Sequence, residues 1–237
     1  MSTYILVHGA WHGAWCWHKI VARLEARGHR VVAPDMPGHG MDRTPIEQVT
    51  LEDIAVRLAA VIDAQDEPAV LVGHSYGGTM ISQTAERRST KIRALVYLSA
   101  FLIPDGKTTL DISADDPESI LGPFIAFSPD GKTATVDRSA WHEAFYAGCS
   151  DDDFALARLA LGLEAVAGFA TPIHTTAANW GRIPRFYIEC VRDKAIGIGR
   201  QRQMTQALPC KRVFSLDTDH SPFFSAPDAL SDILAGL

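Results

Sequence analysis

A membrane-crossing helix needs about 18 or more consecutive apolar residues, and this chain has no such run. The longest candidate, Leu156–Ala170, is interrupted by Arg158 and Glu164. Cysteine is scarce as well. Cys16, Cys149, Cys190 and Cys210 are scattered and form no C-x-x-C pair, which excludes a zinc knuckle or dithiol motif of the usual kind. Free thiols are expected, because a chain this long can bury a core without cross-links. Positive charge is in the minority, with 22 Lys+Arg against 28 Asp+Glu and a net charge of −6. Nucleic acids and anionic membranes both require clustered Lys and Arg. The basic clusters here are short (Arg87-Arg88, Lys211-Arg212 and the spread Arg200/Arg202), so neither is expected as a partner.

Other signals are missing too. Met1-Ser2-Thr3-Tyr4 carries no basic stretch and the apolar run after it ends at Val7, so a secretory signal of the usual form is not expected. The expectation is a cytoplasmic protein. No P-loop occurs, and Gly38-His39-Gly40 lacks the third glycine of a dinucleotide fingerprint and follows Pro34 and Pro37. No cofactor is expected. His8 and His12 stand four residues apart, but no third ligand cluster accompanies them, so no metal is expected either.

What is present is ordinary globular composition: 237 residues, 47% hydrophobic and 21% charged, enough for one large domain. Apolar runs at Tyr4–Val7, Arg30–Ala33, Ala69–Val72, Ile92–Leu98, Arg185–Val191 and Arg212–Leu216 read as six strands. Helical periodicity separates them. Trp17–Arg27 is stopped by Gly28, and a helix opened by Thr50 and Asp53 carries the stripe Ile54, Leu58, Val61 and Ile62. Thr79–Arg87 and Asp228–Leu237 are helical too. Strands that are continuously apolar and alternate with helices predict an α/β fold, a mostly parallel six-stranded sheet covered on both faces. Residues 101–182 break the rhythm with Pro, Gly and Asp clusters and helical segments near Ala140–Ala147 and Asp151–Leu161, the second N-capped by Ser150 with Asp153. The expectation is one domain with a core of residues 1–100 and 183–237, and an inserted helical cap of about 101–182 over the sheet's C-terminal edge.

The sharpest chemical signal is Gly73-His74-Ser75-Tyr76-Gly77-Gly78. It directly follows one predicted strand and precedes a helix. A serine there sits on a turn so tight that only glycine tolerates the crowding on either side, and its hydroxyl projects above the sheet. Ser75 is therefore the candidate nucleophile. A serine hydroxyl needs a base, and His220 is the one histidine C-terminal to every predicted strand. The acid belongs on the loop after Arg185–Val191, which holds Asp193; Asp217 and Asp219 share the histidine's own loop and are poorly placed to reach behind its ring. Two backbone N–H groups complete an oxyanion hole, one from Tyr76 after the nucleophile and one from Ala10 on the loop after the first strand. His74 is expected to pack or to hydrogen-bond locally. Phe124, Phe127, Trp141, Phe145, Phe169 and Trp180 crowd the cap, mostly as its own core; Trp11, Phe124, Trp141, Phe145 and Trp180 are the candidate pocket residues.

Six stretches carry a resemblance that runs nearly end to end: Leu6–Trp17 (LVHGAWHGAWCW), Gly28–Pro34, Leu71–Gly78 (LVGHSYGG), Cys149–Ala157 (CSDDDFALA), Ile183–Ile196 (IPRFYIECVRDKAI) and Asp219–Phe224. In these the chain resembles the plant methylesterase and hydroxynitrile-lyase branch of the α/β-hydrolases, together with bacterial carboxylesterases and pyrethroid-type hydrolases. The resemblance implies an α/β-hydrolase fold, a Ser75–His220–Asp193 triad and an oxyanion hole of the Ala10 and Tyr76 amides. Two positions depart from the lyases, which have a threonine where this chain has Gly9 and a cyanide-stabilising lysine where it has Ser221. Hydrolysis of small to medium carboxylic esters with an apolar or aryl part, through an acyl-enzyme, is the expected activity. A lyase using the same triad and a non-catalytic ligand-binding receptor on a hydrolase fold are the alternatives. The expected partner is a small-molecule ester, and a homodimer is compatible with the sequence.

Overall fold

Strands that are apolar on both sides must be covered on both sides. In the computed structural model, which describes residues 1–237, they are. The chain runs through β1 (Thr3–Val7), α1 (His18–Glu25), β2 (Arg30–Val32), α2 (Leu51–Asp63), β3 (Ala69–His74), α3 (Gly77–Arg88) and β4 (Ile92–Leu98). A long excursion follows, containing α4 (Thr109–Ser113), β5 (Ile125–Phe127), β6 (Thr133–Val136), α5 (Trp141–Phe145), α6 (Asp151–Ala160), β7 (Glu164–Ala165) and α7 (Val166–Ala170). It returns through β8 (Arg185–Cys190), α8 (Ile198–Ala207), β9 (Arg212–Leu216), α9 (Pro222–Ser225) and α10 (Pro227–Ala235).

The six-stranded sheet has the order β2-β1-β3-β4-β8-β9 with every pair parallel. Its central strand β3 is buried at every position, whereas the edge strands β2 and β9 are partly exposed. The helix boundaries follow from local chemistry. α1 buries Ile20 and Leu24 and stops where Gly28 takes φ +80°, a conformation that suits glycine. Thr50 and Asp53 form a full reciprocal capping box at the start of α2. Helix α8 was not anticipated, because it buries only Gln201 and Met204 and so carries almost no apolar stripe.

The excursion between β4 and β8 carries the expected helices and, in addition, a three-stranded antiparallel sheet, β5-β6-β7. Those strands are two to four residues long, too short for a period to show in the sequence. The excursion is tied to α1 through α6. Ser150 caps that helix by accepting from the Asp153 N–H. The Asp153 carboxylate reaches back to Lys19 on α1, 2.6 Å away. Burial pushes the Asp153 carboxyl up, but its bonds to Lys19 and Ser150 outweigh burial and hold it below its ordinary value. A depressed carboxylate stabilises the fold above its ordinary pKa, near 4, and that contribution fades as pH falls through the lowered value. Asp153→Asn should therefore lower stability at neutral pH by about 1–2 kcal/mol. Urea unfolding of the two proteins should show a gap that narrows at acid pH; a gap independent of pH would contradict the ion-pair account.

Candidate active site

The strand order reverses direction between β1 and β3: the chain passes from β1 outward to β2, then crosses back to the other side. Such a reversal leaves a crevice at the C-terminal ends of the two strands. Val7 and Gly73 are register partners there, so the loop after β1 and the turn after β3 open side by side.

Ser75 occupies that turn with φ +53°, a left-handed conformation that a side-chain-bearing residue rarely adopts. It is held by its neighbours: its N–H donates to the Leu98 carbonyl, and its carbonyl accepts from Gly78 and Phe101. The flanking glycines leave no room for side chains. A Cβ on Gly73 would lie 2.5 Å from the Gly77 oxygen, and one on Gly77 would lie 2.8 Å from the Val7 oxygen. The Ser75 side chain faces the cavity above the sheet.

His220 follows β9 and Asp193 follows β8, adjacent strands paired as far as Cys190 and Leu216. The structure brings the two side chains together: His220 Nδ1 lies 2.6 Å from Asp193 Oδ2, with both residues buried. The carboxylate accepts from three further donors, the N–H groups of Ala195 (2.6 Å) and Ile196 (2.9 Å) and the Ser99 hydroxyl. With Nδ1 donating, the neutral imidazole presents Nε2 as an acceptor. The ring centroid of His220 lies 4.5 Å from that of His74, the residue before Ser75, and 5.6 Å from that of Phe145 in the cavity wall.

Ala10 and Tyr76 both line the cavity beside Ser75. Their amides donate to no backbone or side-chain acceptor in the protein, so two N–H groups are left for a ligand. Three neighbouring histidines are buried and neutral. Burial drives the His12 pKa down to about 3, and it lowers those of His8 and His74 well below the ordinary value. Each has a bonding role. His12 Nδ1–H donates to the Ala10 carbonyl (2.7 Å) while Nε2 accepts from the Tyr146 hydroxyl (2.6 Å). His8 Nε2 accepts from the Met36 N–H, and His74 Nε2–H donates to the His220 carbonyl at 2.8 Å, on the loop after β9.

The cavity encloses about 320 Å³, and fifteen of its twenty lining residues are apolar. None is Asp, Glu, Lys, Arg or His, so it offers no counter-charge to an ionised ligand. Of the five candidate pocket residues, Trp11 and Phe145 line it. The other three do not. Trp141 is buried within the cap, its indole N–H donating to the Val136 carbonyl. Trp180 packs elsewhere, donating to the Tyr97 hydroxyl beneath the Arg185 guanidinium. Phe124 is exposed. Composition marks aromatic residues but not which side of a cap they face. Phe101, Phe127 and Phe169 supply the missing aromatic surface.

Sequence reasoning also missed residues that hold these groups in place. Ser99, at φ +38°, aims its hydroxyl at Asp193. Gln201 on α8 bonds both the N–H and the carbonyl of Cys190 and also the Ile196 carbonyl, bracketing the loop that carries Asp193. Asp219 accepts from Gly148, Ser221 and Ser225, so it organises the histidine's loop rather than touching the ring. Only Asp219 stood out in the sequence, and there as a rival acid.

Known proteins resemble the chain along its whole length. The profile of the alpha/beta hydrolase family matches residues 4–233. Methylesterase 9 of Arabidopsis thaliana is 34% identical over 253 residues, covering 99% of this chain and 97% of its own. Methylesterase 1 of the same plant is 33% identical, covering 97% and 93%. Some chloroplastic relatives are longer, and the chain spans 55% to 63% of three of them. Among solved structures, a pyrethroid hydrolase from Sphingobium faniae superposes with a TM-score of 0.87 at 28% identity, covering 99% of this chain and 96% of that one. No helix is long and apolar enough to cross a membrane. By fold, by profile and by full-length relatives, the chain belongs to the α/β-hydrolase family, in its esterase-like methylesterase branch.

Proposed function

We propose that this chain is a serine hydrolase that cleaves uncharged carboxylic esters with an apolar or aryl part. The observation that carries the reading is Ser75, held at φ +53° beneath an apolar cavity and flanked by two unengaged amides. Ser75 Oγ attacks the ester carbonyl as His220 Nε2 takes its proton. Asp193 fixes the imidazole's tautomer and stabilises the imidazolium that forms. The carbonyl oxygen becomes an oxyanion between the Ala10 and Tyr76 amides, which donate to no acceptor within the protein. His220 returns the proton to the leaving alcohol and then activates water to release the acid.

The methylesterase and pyrethroid-hydrolase relatives support an ester as substrate. The absence of ionic groups from the cavity wall supports an uncharged one. Hydrolysis is favoured over cyanohydrin cleavage, because no Lys or Arg side chain lines the cavity to receive a departing cyanide. The backbone supports the same choice: a Cβ at Gly9, where the lyases have threonine, would lie 2.8 Å from Ser75 Cβ. A receptor role would leave the His220–Asp193 bond and the free amides without a purpose.

Two outcomes are expected. Ser75→Ala should lose several orders of magnitude in nitrophenyl-ester turnover and all labelling by a fluorophosphonate probe, with its melting temperature unchanged; Asp193→Asn should lose about 10⁴-fold in kcat. Near-normal rates in Ser75→Ala would refute the mechanism. Across nitrophenyl esters of equal length, a neutral acyl chain should be cleaved at least about 100-fold more efficiently than one ending in a carboxylate, the cost of an unpaired charge in an apolar site. Equal kcat/KM values would rule out this cavity as the acyl site.

A further inference from the structure

Glu164 on β7 and His39 on the loop after β2 form a buried pair outside the groups already described, with Nε2 and Oε2 separated by 3.0 Å. Both nitrogens of His39 face acceptors, since Nδ1 lies 3.0 Å from the Pro37 carbonyl. A ring that donates at both positions is an imidazolium. Despite burial, Glu164 and the other acceptors raise the His39 pKa. The groups facing the ring are Glu164 from the cap, His8 from the end of β1 with ring centroids 5.0 Å apart, and Asp35 on its own loop.

The carboxylate does more than pair with His39. Its Oε2 also accepts from the Trp11 N–H at 3.3 Å, and Oε1 accepts from the Ala165 N–H at 3.0 Å. Trp11 stands at φ +63°, a strained conformation that needs outside support. The peptide joining Ala10 to Trp11 is held on both edges, its oxygen by His12 and its N–H by Glu164. Two more cap contacts fix the same residue: the Gly162 N–H donates to the Trp11 carbonyl, and the Trp11 indole N–H donates to the Ala134 carbonyl.

We infer that Glu164, locked by His39, is a positioning residue: by fixing the peptide that follows Ala10 it sets how the Ala10 N–H, on the preceding peptide, meets the developing oxyanion, so that the cap influences the catalytic rate as well as forming part of the cavity wall. This rests on the hydrolase reading above. The carboxylate matters because three N–H donors converge on its two oxygens, and an amide of the same shape offers only one acceptor oxygen.

The test compares E164Q, H39L, H39Q and the E164Q/H39L double variant with the wild type. The readouts are kcat and KM on nitrophenyl butyrate and the rate of Ser75 phosphonylation by a fluorophosphonate. A misaimed oxyanion donor acts in the transition state, so E164Q should lose about 10- to 100-fold in kcat, with KM changed by less than about 3-fold. H39L should lose a similar factor. H39Q keeps an N–H toward the carboxylate and should recover most of that loss. The double variant should fall no further than the worse single one, because both act through one contact. A kcat within about 2-fold of wild type for E164Q, a loss confined to KM, or losses that multiply in the double variant would each overturn the inference. If E164Q does not fold, the two His39 variants decide it, and equal rates for them overturn it. A wild type that labels but turns over no ester would refute the esterase reading alone, and phosphonylation rates would then judge the positioning role; one that does neither overturns both.

Discussion

The hydrogen bond between His220 Nδ1 and Asp193 Oδ2 constrains the rest of the site. It joins two loops that leave adjacent strands, so it exists only while β8 and β9 stay in parallel register to Cys190 and Leu216. It is buried, so an unmade bond there would leave polar groups without solvent. The surroundings answer that demand. Asp193 has four donors, Ser99 approaches from the end of β4, and Gln201 closes around the loop from α8. A ring fixed at one nitrogen can act at only the other.

Above the sheet the molecule separates apolar work from ionic work. The cavity wall carries no ionic side chain, and the nearby histidines His8, His12 and His74 are held neutral by burial. Neutral rings can each donate once and accept once, and here they tie the loop after β1 to the cap and to the loop after β2, and the elbow to the loop that carries His220. Charge enters at the seams between cap and core, as Lys19 with Asp153 on one side and His39 with Glu164 on another. An apolar pocket thus gains orientation from ion pairs it does not contain.

Much of this was legible in the sequence, and the limits have physical causes. The six strands, the elbow at Ser75 and the order of Asp193 and His220 were readable because continuous apolar runs, obligatory glycines and chain order are local or ordinal signals. Helix α8 was missed because its buried residues are too few to make a stripe. The cap's small sheet was missed because its strands are shorter than one readable period. Trp141 and Trp180 were misplaced because large aromatics mark a core without saying which core. Ser99, Gln201 and Glu164 escaped for another reason: the partners Asp193, Cys190 and Trp11 lie 94, 11 and 153 residues away, and no spacing rule joins them.

In the proposed mechanism one oxygen of a tetrahedral adduct on Ser75 sits between the amides of Ala10 and Tyr76. A crystal structure of the chain reacted with a neutral alkyl phosphonate examines this directly. The expected result is a bond from phosphorus to Ser75 Oγ, one phosphoryl oxygen about 3 Å from both amide nitrogens, and the alkyl chain within the cavity beside Trp11 and Phe145. An adduct whose oxygen points away from those amides, or one formed on a different side chain, would contradict it.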